Sequence, residues 1–200
     1  MIVRLDQQLF LYLNSLNSPF WDEVMYAISG VIIWVPLYLA ILTYLGFKYK
    51  RKFWVVLFFI ILGVTLADQI SVKLFKYTFE RLRPCHEPAL EGLVHIVRGK
   101  CGGQYGFVSS HAANCFYAAI MSGLLVRKRW FSVSMICWAA AIGYSRIYLG
   151  VHYPGDVICG TALGIFIGWS IFKLYELTDN KIISKKPYFN QDVGKDYRKN

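Results

Sequence analysis

The 200-residue chain is 56% hydrophobic, 17% aromatic and 17% charged, with a mean hydropathy of +0.40. Soluble domains are roughly a quarter charged, so this composition excludes a disordered chain and disfavours a water-soluble globule; the length fits one domain. The formal net charge of +10 would suggest nucleic acid only if the basic residues formed one stripe, and instead they fall between apolar runs.

The segment before Met25 (RLDQQLFLYLNSL, then SPFWDEV) mixes charge with apolar residues at helical spacing, which predicts a helix lying along a membrane interface. It lacks the apolar core and cleavage site of a signal peptide. Five apolar stretches long enough to cross a bilayer follow, at about 25–47, 53–68, 107–126, 130–149 and 156–175. Pro36 inside the first is expected to be a tolerated kink. The predicted fold is therefore all-α, a polytopic membrane helical bundle of about five transmembrane helices plus an N-terminal interfacial helix. One domain is expected over 1–178, and a polar cytoplasmic tail over 179–200.

Cytoplasmic loops carry an excess of Lys and Arg. Lys48, Lys50, Arg51 and Lys52 follow the first stretch, Arg127, Lys128 and Arg129 follow the third, and the tail is Lys-rich, so these three segments are placed inside and the N-terminus outside. The connection between the second and third stretches breaks that rule, with Lys76, Arg81, Arg83, Arg98 and Lys100 on the outer side. Binding of an anion explains Lys76 and Arg83; Arg98 and Lys100 read as solvated loop charges.

Cys115, Cys137 and Cys159 fall inside the apolar stretches, where a thiol behaves as a small apolar residue. Cys85 and Cys101 bracket the outer loop and are either free thiols or, in an oxidising compartment, a disulfide worth about 3 kcal/mol. Gly160, Gly164 and Gly168 form a small-residue stripe, read as helix packing inside the monomer in preference to a dimer seam.

Three polar clusters lie at the outer ends of the stretches. In Lys76-Tyr-Thr-Phe-Glu-Arg-Leu-Arg83-Pro84, a seven-residue separation on a continuing helix puts Lys76 and Arg83 on one face, suited to a phosphate. The alternative is snorkelling toward head groups. Gly106-Phe-Val108-Ser109-Ser110-His111 opens the third stretch, where a helix N-terminus and a hydroxyl offer donors beside His111. In Ser145-Arg146-Ile-Tyr-Leu-Gly-Val-His152-Tyr-Pro154-Gly-Asp156, a formed helical turn lets Asp156 accept a hydrogen bond from one imidazole nitrogen and leaves the other as a nucleophile. A structural His–Asp cap and a metal site of His111, His152 and Asp156 remain alternatives; the surrounding cations oppose the metal.

These three clusters, in this order and spacing from Lys76 to Asp156, resemble the three-part signature of the type 2 phosphatidic acid phosphatase superfamily, which includes membrane lipid phosphatases and, on a soluble relative, vanadate-dependent haloperoxidases. The resemblance implies a metal-independent, cofactor-free hydrolase of a phosphomonoester or diphosphate. His152 would attack phosphorus to give a phosphohistidine, Asp156 would orient it, and His111 would protonate the leaving oxygen. Lys76, Arg83, Ser109, Arg146 and the backbone N–H of Ser110 would hold the phosphoryl oxygens. The family's second motif is Pro-Ser-Gly-His, so Val108 and Ser110 are departures, and a strained backbone at residue 110 would be harder for serine than for glycine.

The resemblance offers polyprenyl diphosphate, phosphatidylglycerol phosphate, phosphatidic acid and the phosphates of lipid A as substrates. The compact chain favours undecaprenyl or another polyprenyl diphosphate, in a bacterial inner membrane with the site facing the periplasm. The rival of another class is a non-catalytic phosphate-lipid binding or transport protein, which has no use for the His152–Asp156 turn. No nucleic-acid partner is expected, and the oligomeric state stays open.

Overall fold

The structure, a computed structural model, describes residues 2–179. The predicted tail beyond Asp179 lies outside them. Among the described residues the only β pairing is a single bridge between Leu82 and Tyr105. The helices are α1 (Ile2–Ser15), α2 (Pro19–Ser29), α3 (Val35–Tyr49), α4 (Phe53–Gln69), a π-helical extension of α4 (Ile70–Lys76) running into the short α5 (Tyr77–Phe79), α6 (Ser110–Val126), α7 (Arg129–Tyr148) and α8 (Pro154–Thr178).

Local chemistry sets these boundaries. The expected single N-terminal helix is two: α1 ends at Ser15, and Ser18 caps the second, its hydroxyl accepting from the Trp21 N–H at 3.4 Å, with Pro19 in the first turn. Pro36 is not a kink. It sits in the first turn of α3, where its missing N–H costs no hydrogen bond, so the first apolar stretch is shared among α2, a 3₁₀ turn at Ile32–Trp34 and α3. The second stretch outruns its predicted polar end at Asp68, since Leu74, Phe75, Tyr77 and Phe79 keep the helix apolar as far as Phe79.

Helix α6 is the hub, packed along α8, α7 and α4. Its Tyr117, fully buried, reaches the Phe59 carbonyl at 3.0 Å, and Met121 and Leu125 pack with Val56, Phe59, Ile167 and Phe172. The glycine stripe of α8 faces α6 within the chain. A Cβ at Gly160 would lie 2.5 Å from the Ser109 carbonyl oxygen, and one at Gly164 would collide with the Ala113 carbonyl. Only glycine permits this approach.

Antiparallel connections sort the helix ends into two groups. At one, Lys48 donates to the Val126 carbonyl (2.9 Å), the Tyr49 hydroxyl to the Leu125 carbonyl (3.0 Å), and Lys52 pairs with Asp179 (2.8 Å). The other gathers Phe79, Ser110, Tyr148 and Pro154. The surface exposes Phe47, Trp54, Phe58, Trp130, Phe166 and Trp169, large apolar side chains suited to contact with lipid. By length and composition, Ile32–Phe79, which is α3 and α4 joined at Lys50 (φ +48°), and Pro154–Thr178 suffice to cross a membrane.

Helix α1 lies against the second group of ends. Phe10 stacks edge-on against Tyr153 (centroids 5.4 Å apart), and the Asn14 amide donates to the carbonyls of His95 (3.0 Å) and Tyr148 (2.8 Å).

Candidate active site

The site is built at the Ser110–Pro154 end from four stretches of chain. The extended α4 delivers Lys76, half-buried, before the helix stops at Phe79. Glu80 then adopts a left-handed conformation (φ +45°), and the chain runs beside residues 104–106, with the Arg83 N–H donating to the Gln104 carbonyl (3.1 Å) and the Gly106 N–H to the Arg81 carbonyl (2.8 Å). Lys76 and Arg83 therefore do not share the continuing helix that their spacing predicts. They converge because this backbone pairing, a contact made with distant residues, carries Arg83 back.

Arg83 is 8% exposed; its Nε donates to the Tyr105 carbonyl (3.2 Å) and its Nη1 to the Cys101 carbonyl (3.1 Å). Burial lowers its pKa, partly opposed by the Asp156 charge. Two residues on, Cys85 is disulfide-bonded to Cys101, with Cα atoms 6.1 Å apart, so the bridge closes the loop whose carbonyl holds Arg83.

Arg146 ends α7. Its Nη1 donates to the Ser29 hydroxyl and its Nε is buried without a protein partner. The Arg146 carbonyl accepts from both Val151 and His152 N–H (3.2 Å each), turning the chain back at Gly150 (φ +78°), where a Cβ would lie 2.7 Å from the His95 carbonyl oxygen.

His152 is 1% exposed and precedes α8 instead of lying on a formed turn of it. Its Nδ1 is 3.5 Å from Asp156 Oδ2, an ion-pair approach longer than the hydrogen bond expected from the four-residue spacing. The carboxylate is engaged elsewhere: Oδ2 accepts from the Tyr153 N–H (3.0 Å) as a helix cap, and Oδ1 accepts from Arg81 Nη1 (2.9 Å). Burial, first, and then the charges of Arg83, Arg146 and Lys76 push the His152 pKa well below the ordinary imidazole range.

Ser109 caps α6, its hydroxyl accepting from the Ala112 N–H at 3.4 Å, while its own N–H donates to the Asp156 carbonyl (3.0 Å) and so ties the second cluster to the third. Ser110 has helical backbone, not a left-handed one, so replacing glycine there carries no strain; its hydroxyl accepts from Ser71 (3.0 Å). His111 follows in the first turn of α6, within electrostatic reach of Arg146, His152, Lys76 and Arg83. Lys76 likewise interacts with Arg83, Arg146 and Asp156. Lys76, Arg83, Ser109, Ser110, His111, Arg146, His152 and Asp156 thus come together. Gly106 sits among them: a Cβ would lie 3.0 Å from Asp156 Oδ2 and 3.2 Å from Arg83 Cγ.

Arg98 and Lys100 are not merely solvated. Arg98 pairs with Glu23 and lies over the Tyr26 ring (4.2 Å), and Lys100 donates to the Tyr26 hydroxyl (2.9 Å), docking the outer loop on α2. Arg81, Asp6 and Ser29 enter the site unforeseen; their contacts join residues more than 70 positions apart, which no local spacing reports. Among the described residues the His/Cys/carboxylate group compact enough to share an ion is Cys85, His86 and Cys101, whose sulfurs are already bonded to each other.

A family model described as the PAP2 superfamily matches residues 53–178. A lipid A 4'-phosphatase of Bacteroides thetaiotaomicron is 40% identical over 95% of the chain and 85% of its own length, and one of Porphyromonas gingivalis is 36% identical over 87% and 74%. The crystal structure of a PAP2-type phosphatidylglycerolphosphate phosphatase from Bacillus subtilis superimposes with a TM-score of 0.69 at 23% identity, covering 92% of this chain and 89% of that one, which establishes the fold. Fold, family model and relatives converge: the chain belongs to the PAP2 superfamily, as one of its membrane lipid phosphatases.

Proposed function

We propose that the chain removes a phosphate from a lipid A-type glycolipid through a phosphohistidine at His152. The observation that supports this reading is the convergence of Lys76, Arg83, Arg146, His111 and the His152–Asp156 pair at one end of the bundle. Burial and the charges of Arg83, Arg146 and Lys76 keep the His152 imidazole neutral at pH 7, and with Nδ1 turned to Asp156 the nitrogen left for phosphorus is Nε2. The Nε2–P bond forms as the ester P–O bond breaks, and the leaving alkoxide takes a proton from His111. Water then attacks phosphorus and gives its proton to His111, and cleavage of the N–P bond releases phosphate and the free imidazole. Lys76, Arg83, Arg146, the Ser109 hydroxyl and the first N–H groups of α6 meet the charge on the equatorial oxygens. Closing the 3.5 Å gap to Asp156 by a few tenths of an ångström on substrate binding completes the orienting hydrogen bond.

The two relatives called lipid A 4'-phosphatases favour a lipid A phosphate over the polyprenyl diphosphate that compactness alone suggests. The long helices α3, α4, α6, α7 and α8 are read as five crossings, with the Lys48–Lys52 and Arg127–Arg129 end cytoplasmic and the catalytic end facing the periplasm of a bacterial inner membrane. Phosphate release by purified protein from lipid A carrying only a 4'-phosphate, lipid A carrying only a 1-phosphate, undecaprenyl diphosphate and phosphatidylglycerol phosphate tests the substrate. The 4'-phosphate should be preferred. Faster release from undecaprenyl diphosphate restores the polyprenyl reading, and binding without release from any of them supports a non-catalytic protein.

A further inference from the structure

We propose that Arg81 and Asp6 are positioning residues that hold the Asp156 carboxylate in register for His152, making the N-terminal helix α1 part of the catalytic apparatus. The inference rests on the assignment of His152 and Asp156 made above. Arg81 spends both arms of its fork on carboxylates: Nη1 donates to Asp156 Oδ1 (2.9 Å) and Nη2 to Asp6 Oδ2 (2.7 Å). Its guanidinium lies over the Tyr153 ring at 4.1 Å. Asp6 uses its other oxygen on the Gly155 N–H (2.8 Å), in the first turn of the helix that carries Asp156, and this approach is so close that a Cβ at Gly155 would lie 2.7 Å from Asp6 Oδ2.

One carboxylate on α1 therefore grips both the arginine and the helix between which Asp156 is set. Asp6, Phe10 and Asn14 recur every fourth residue on one face of α1, and each contacts the segment from 147 to 156. The other face exposes Leu5, Leu9 and Tyr12. Arg81 also differs from the arginines that face the phosphate site. Arg83 and Arg146 are held by neutral oxygens, of carbonyls and of the Ser29 hydroxyl, which orient a guanidinium without neutralising it, whereas Arg81 is matched by two carboxylates. Its role is to orient a carboxylate, and that carboxylate orients the imidazole.

The test is a cycle of Arg81→Gln, Asp6→Asn and their double variant in the purified full chain, reading kcat and KM for release of phosphate from the preferred lipid phosphate, with His152→Ala alongside. Each single variant is expected to lower kcat about tenfold with KM within about twofold, and the double variant to be no worse than Arg81→Gln alone, because the two act through one carboxylate. Asp6→Glu should recover most of the loss. Should Arg81→Gln fail to fold, Asp6→Asn and its Asp6→Glu rescue decide the matter. Unchanged kcat in the folded variants, losses in KM alone, or losses that multiply in the double variant overturn the inference. If His152→Ala abolishes release while the Asp6 and Arg81 variants keep wild-type kcat, only the inference fails; if His152→Ala retains release, the assignment beneath it fails.

Discussion

The two ends of the bundle differ in how they match particular cations: Lys52 meets the Asp179 carboxylate, whereas Arg83 and Arg146 meet neutral oxygens. At the end holding Lys48 and Lys52, Lys48 donates to the Val126 carbonyl at the end of α6, where the helix dipole is negative, and Lys52 pairs with the buried Asp179 carboxylate. At the other end, the buried Arg83 and the half-buried Arg146 are bonded to neutral carbonyl and hydroxyl oxygens. Neutral acceptors fix the geometry of a guanidinium while leaving its full charge for an incoming anion; carboxylates cancel it. Charge that is buried, oriented and uncancelled is what a transition state spreading negative charge over three oxygens requires.

That contrast is breakable by substitution. His152→Ala is expected to lower kcat by about 10⁴-fold or more, since no neighbouring group replaces the nucleophile. Arg83→Gln and Arg146→Gln should each cost about a hundredfold in kcat/KM, the range for removing one preorganised donor, with little loss of fold. At the opposite end, Lys52→Met should leave kcat within about twofold while lowering thermal stability, because it strands the buried Asp179. Comparable losses of activity at both ends would erase the distinction.

Two smaller effects sharpen it. Reducing the Cys85–Cys101 bridge, or replacing either cysteine by serine, frees the loop whose carbonyl anchors Arg83; stability should fall by about 3 kcal/mol and kcat/KM by severalfold. The pH profile carries a sign as well. A lowered pKa means that His152 is already deprotonated below the ordinary imidazole value, so kcat/KM should hold as pH falls from 7 through 6.5. An acid limb centred near the ordinary value would show an imidazole far less buried and less crowded by cations than this one.

The helices and the site were unequally legible in the sequence. Apolar length marked the cores of α3, α4, α6, α7 and α8, and the glycine stripe announced the approach of α8 to α6, because both are local periodicities. The eight residues singled out from the three clusters, three read as catalytic and five as phosphate-binding, lie together at one end of the bundle. How they meet was not legible: the left-handed Glu80 and the pairing of residues 81–83 with 104–106 replace a continuing helix, and Asp156 leans on Arg81 and the Tyr153 N–H before His152. Asp6 lay in a segment whose amphipathic pattern predicts only contact with the interface, and Ser29 in the first apolar stretch, read as a crossing. Their partners are fixed by tertiary contact.

The most direct test is to trap the covalent intermediate. Purified protein mixed with a lipid phosphate labelled in its phosphoryl group, quenched within a turnover and digested under alkaline conditions that preserve phosphohistidine, should carry label on the peptide containing His152 and none in His152→Ala. Label on another residue, or undiminished phosphate release by His152→Ala, contradicts the account.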